Sequence, residues 1–115
     1  MYVSAQKWEL AEKTFRSVLT EDKNDSHSVA SIANIMLVLN RPEESEAFIR
    51  NAVVGGVNSH EMQFELAKAI VGQEKPNDEQ KREATNILER LVKVGSHVEV
   101  ATSILEEIEK TTLTK

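Results

Sequence analysis

The 115-residue sequence contains no cysteine. That excludes a disulfide framework, a thiolate metal site and a cysteine nucleophile, and it leaves the compartment open, since exported proteins without disulfides exist. Proline and glycine are scarce, at two and four residues. Low-complexity tracts are absent too, so neither a fibrous nor a disordered chain is expected. The most apolar stretch, Ile35-Met36-Leu37-Val38-Leu39, is far shorter than the roughly 20 residues a membrane-spanning helix needs. Met1 to Leu10 is polar and lacks an apolar segment of signal-peptide length, which favours a cytoplasmic location unless a leader precedes these residues in a longer protein. Excess basic charge is missing as well: the net charge is −5, with both signs interspersed. No basic stripe is available to neutralise phosphates, and nucleic acid is not expected as a partner.

What remains is 40% hydrophobic and 29% charged residues, the balance of one helical globular domain. Trp8, Ala11, Phe15, Val18 and Leu19 recur at three- and four-residue steps, predicting a helix from about Val3 to Thr20. Ser26 is placed to cap a second helix through Leu39; apolar on nearly all sides, it should be the central buried one. Pro42 suits the first turn of a third helix carrying Ala47, Phe48, Ile49, Ala52 and Val53, which Gly55-Gly56 ends. Ser59 caps a fourth with Met62, Leu66, Ala67 and Ile70, ending near Gly72. After a long connection from Gln73 to Asn77, Asp78 to Val94 is amphipathic through Ala84, Ile87, Leu88, Leu91 and Val92, and Gly95 closes it. A sixth helix is expected from His97 to Lys110. Its Val98, Ala101, Leu105 and Ile108 form one stripe, and Glu99, Glu106, Glu107 and Glu109 face away. Thr111 to Lys115 is expected to fray.

The dipeptides Ser26-His27, Ser59-His60 and Ser96-His97 recur after 33 and then 37 residues, each at a helix start. The first interval is close to the 34-residue period of tetratricopeptide repeats, and Trp8 to Leu19 resembles the second helix of that repeat, with Lys23 where the family often has proline. Val29, Ile32, Ala33 and Met36 match a first helix; Ser45, Ile49 and Ala52 match its partner. A second unit runs through Leu66, Ala67 and Ile70, then Ala84, Leu88 and Leu91, with about five extra residues around Pro76 and Gln63 where a large apolar residue is usual. The resemblance covers roughly Gln6 to Val94; other α-solenoids share the same helix-pair physics. It implies an all-α, antiparallel helix-pair solenoid of about six helices: residues 1–25 as the second helix of an incomplete repeat, 26–59 and 60–96 as repeats, and 97–115 as a terminal capping helix and tail. Small residues such as Ala33, Ala67 and Ala84 would let paired helices approach closely.

Candidate chemistry is thin. His27, His60 and His97 invite a metal or acid–base reading, but ligands on successive helix layers would lie about 10 Å apart, too far for one metal. Helix-start residues inherited with the repeat are the expectation. Carboxylate pairs such as Glu43-Glu44 and Glu106-Glu107 stand beside polar residues, whereas catalytic pairs need burial that moves their pKa values apart. Gly55-Gly56 lacks the strand and the Lys-Ser/Thr sequence of a phosphate-binding turn. No cofactor, no metal and no catalytic residue are expected, and the chain is read as a non-enzyme.

By resemblance, the first helix of each pair lines a concave groove that binds a protein or peptide. Its positions here are His27, Ala30, Asn34, Leu37 and Val38, then Glu61, Phe64, Lys68 and Val71. Phe64, Leu37 and Val71 would be apolar anchors beside Asn34 and Lys68. The alternative is that Phe64, Leu37 and Val38 simply belong to the core, which periodicity alone does not decide. The carboxylate clamp of one subclass of the family is not matched, because Ala30 takes a basic position and Glu61 and Glu65 put acid where base is needed. Trp8 and Phe15 lie on a helix whose own first partner would precede Met1, so self-association through that face, as a homodimer, is a second expectation. A regulatory fragment of a larger protein is a third.

Overall fold

The computed structural model describes residues 5–113, with side chains described over 7–110. Six α-helices follow one another, and no strand occurs among the described residues. In α1 (Ala5–Glu21), Trp8, Ala11, Phe15 and Leu19 are half-buried, so the expected stripe forms. Val18, expected with them, is exposed. It lies about 100° around the helix from Leu19, and α1 packs mainly on α2, so only one stripe is well covered. The expected start at Val3 lies outside the described residues.

Helix α2 (Ser26–Val38) is capped by Asp25 rather than Ser26. The Asp25 carboxylate accepts hydrogen bonds from the Ser28 hydroxyl at 2.9 Å and the Ser28 N–H at 3.3 Å. Those bonds hold its pKa below the ordinary aspartate value. Asp and Ser cap comparably, and the helix dipole adds a preference for the charged one. The end of α2 is closed by Asn40 at φ 60°, with the Arg41 N–H donating to the Met36 carbonyl at 2.7 Å. Helix α3 (Pro42–Val54) opens with Pro42 in its first turn, as expected. Its end repeats the same closure: Gly56 takes φ 98° and the Val57 N–H donates to the Ala52 carbonyl at 3.0 Å. This six-to-one bond spares an orphan carbonyl and turns Val57 into the core.

Helix α4 (His60–Val71) is capped by Ser59, whose hydroxyl accepts from the Met62 N–H at 3.1 Å. The long connection 73–77 leads into α5 (Asp78–Val94), where Asn77 and Gln80 exchange side-chain and backbone hydrogen bonds at 2.9 and 2.7 Å. That reciprocal capping box fixes the start of the helix. Gly95, at φ 79°, ends it. Helix α6 (Val98–Leu113) continues three residues beyond the expected Lys110, so Thr111 to Leu113 extend the helix. Thr114 and Lys115, the rest of the expected frayed tail, lie outside the described residues.

Each helix packs on its successor, and α2 also packs on α4. Burial of apolar area drives this arrangement. Ala33, Ile49, Met62, Ala67, Ile70, Ala84, Leu88 and Ala101 are sealed from solvent. Where α2 meets α3, the buried Ser45 hydroxyl donates to the Ala33 carbonyl at 2.8 Å, a contact that only small side chains allow. The expectation of one central helix is amended: α4 touches α2, α3 and α5 and is buried as thoroughly as α2. The result is an oblong body of 44 × 33 × 24 Å.

Candidate functional site

The residues singled out as groove positions come from α2 and α4, whose side-by-side packing aligns them in rungs. At one end, His27 Nδ1 and Glu61 Oε1 are 3.3 Å apart, each in the first turn of its helix. Two turns further, Lys68 Nζ donates to Asn34 Oδ1 at 3.3 Å across a separation of 34 residues. Both rungs join positions one repeat length apart. Val38 stands half-exposed at 49%, and Leu37 is half-buried beside it. Val71 is half-buried and lines a cleft of about 400 Å³ with Pro76 and Ile108, where the long connection passes the end of α4.

Phe64 is only 6% exposed and belongs to the main apolar cluster. His97 stacks on its ring at 4.2 Å between centroids, and the Lys68 ammonium lies 4.7 Å from the ring centre. His97 reaches this position in a left-handed conformation, φ 55°, that few non-glycine residues adopt. Neither that stacking nor the role of Glu65 was visible in the spacing of the sequence. The signal for Glu65 was its place as the lone acid in Met62 to Ile70. Glu65 is buried, and Lys68 Nζ approaches its Oε1 to 3.1 Å without the angles of a hydrogen bond. Burial pushes its carboxyl above the ordinary glutamate value; the Lys68 charge opposes and the Glu61 charge adds.

A parallel pair of contacts links α3 to α5. Arg50 donates to both carboxylate oxygens of Glu83, at 2.7 and 3.1 Å, and to Glu46 at 2.8 Å. Glu83 and then Glu46 raise the guanidinium pKa further above its already high value. Gln80 donates to Glu46 at 3.0 Å, and Gln73 also donates to Glu46. The Arg50–Glu83 and Gln80–Glu46 contacts span 33 and 34 residues. With the Gln73 bond they tie the long connection to the body of the protein.

On α1, Phe15 meets His27 edge-on at 6.2 Å and Trp8 is half-buried. The most exposed large apolar side chain of that helix is Leu10, at 65%. The three histidines occupy unlike settings: His27 beside Glu61, His97 on Phe64, and His60 on a separate cleft beside Arg90. Among the described residues, no group of three His, Asp or Glu side chains converges as metal ligands would, and no helix is long and apolar enough to cross a membrane. No family model, curated protein or solved structure matches the chain.

Proposed function

We propose that this chain is a non-catalytic protein-interaction scaffold, built as a tetratricopeptide-like solenoid of helix pairs, that binds a peptide or partner helix on the α2–α4 face. The observation that carries the reading is the contact of like positions one repeat apart. Asn34 meets Lys68 and His27 meets Glu61 between the first helices of the two units, 34 residues apart in each case. Stacked repeats bring equivalent residues side by side in this way. The face between α2 and α4 offers Val38 as an exposed apolar contact, with Asn34, Lys68 and Glu61 as polar ones. That mixture suits a peptide held by backbone hydrogen bonds and one or two side-chain anchors. A non-catalytic role is supported by Glu43, Glu44, Glu106 and Glu107, which are all exposed. Arg41 draws the Glu44 pKa below its ordinary value, away from that of a general acid.

Because Phe64 is core, the test uses exposed positions. A photo-crosslinking residue at Val38 is expected to capture a discrete partner that Asn34→Ala weakens. The same residue at Val54, which is 88% exposed on α3, is not expected to capture it. Equal capture at both positions, or at neither, rejects the α2–α4 face. A second reading, self-association, draws on the exposed Leu10 and Val18 of α1 beside the half-buried Trp8 and Phe15.

A further inference from the structure

A different surface follows α5. Two adjoining clefts of about 500 and 520 Å³ share Gln63, Ile87 and Arg90. Together they run from Glu79 to Leu91, with Arg50 of α3 at one edge. Gln63 explains part of the opening. It stands where a large apolar side chain is usual in the resembling repeat, and its amide turns aside to donate to Asn58 at 2.7 Å.

The second cleft carries three arginines, Arg50, Arg82 and Arg90, beside Glu79 and Glu83. The chain has 19 acidic residues against 14 basic ones, and three of its five arginines hold carboxylates. Arg16 pairs with Glu12, Arg41 with Glu12 and Glu44, and Arg50 with Glu46 and Glu83. Arg82 and Arg90 pair with no carboxylate among the described residues, and both line the same cleft. Asn86 lies between them with no hydrogen-bond partner among the described residues. The three stand at successive four-residue steps on α5, so they form one ridge. The two guanidiniums start about 12 Å apart along the helix axis, from 1.5 Å per residue.

We propose that this cleft binds an extended acidic peptide segment whose two carboxylates lie four residues apart. An extended chain rises about 3.3 Å per residue and returns to the same face every second residue. Residues four apart are therefore about 13 Å apart on one side, matching Arg82 and Arg90. Each guanidinium can grip a carboxylate through two parallel N–H donors. Asn86, midway, faces the backbone between them with both a donor and an acceptor. Arg50 takes no part, since Glu46 and Glu83 already engage its charge. The site is independent of the α2–α4 face, so either can fail alone.

The test is fluorescence anisotropy with a labelled alanine-based peptide bearing two glutamates four residues apart, and a control peptide with the two glutamates adjacent. The spaced peptide is expected to bind more tightly, and more weakly as salt is raised. Arg82→Gln and Arg90→Gln should each weaken it by up to about fivefold, the upper range for an exposed ion pair, with an unchanged circular dichroism spectrum. Lys110→Gln on α6 should leave it unaffected. No saturable binding, equal affinity for both peptides, or equal loss with Lys110→Gln would overturn the proposal.

Discussion

Glu65 is carried into the interior by the helix that buries Phe64 and Leu66 on either side of it. Its environment favours the neutral acid, since desolvation outweighs the neighbouring Lys68 charge. A carboxyl whose folded pKa is raised contributes stability below its unfolded pKa and loses it as pH rises through the folded value. Glu65→Gln is accordingly expected to melt at a higher temperature than the parent chain at pH 7. The gap should close as the pH falls into the ordinary glutamate range. Asp25 and Glu44 titrate the other way, with pKa values held down by Ser28 and Arg41, and lose their contribution in acid. Comparing the variant with its parent cancels them. A variant less stable than its parent at pH 7 would mean that Lys68, not burial, dominates. At this scale the sequence was only partly legible. Phe64 had two readings, anchor or core, because period alone does not say which neighbour covers a side chain. His97 covers it from a loop, and no periodic pattern reports a loop contact.

Helix ends were more legible than helix faces. Gly56 and Gly95 stop α3 and α5 in left-handed conformations that glycine adopts without strain. Asn40 does the same for α2, being one of the few other residues to tolerate it. Asp25 displaced Ser26 as a cap because two good caps stood side by side and only local geometry could choose between them. Faces failed where a helix has few neighbours. Val18 on α1 and Val98 at the first turn of α6 belong to their stripes by spacing, yet both are exposed. Where helices are surrounded, spacing sufficed, as at Ala33, which is fully buried under the Ser45 hydroxyl. Ala33→Trp should force α2 and α3 apart and cost about 1–3 kcal/mol. A denaturant midpoint equal to the parent's would contradict that packing.

At the scale of the molecule, each helix packs on its successor and α2 also meets α4, so most contacts join near neighbours in sequence. That follows from short connections and alternating apolar stripes, and it was legible. The self-association reading belongs here as well. If α1 joins two copies, the molar mass from light scattering should rise with concentration, and Leu10→Lys should abolish the rise; a constant monomer mass would remove that reading. The contacts between the two helix pairs have a mechanical consequence. Because one set of rungs ties α2 to α4 and another ties α3 to α5, flexing the body toward either side strains the set on the other. Its shape is thus braced in advance, and if a peptide docks as proposed, small-angle scattering should trace the same outline for the chain alone and for the chain mixed with that peptide.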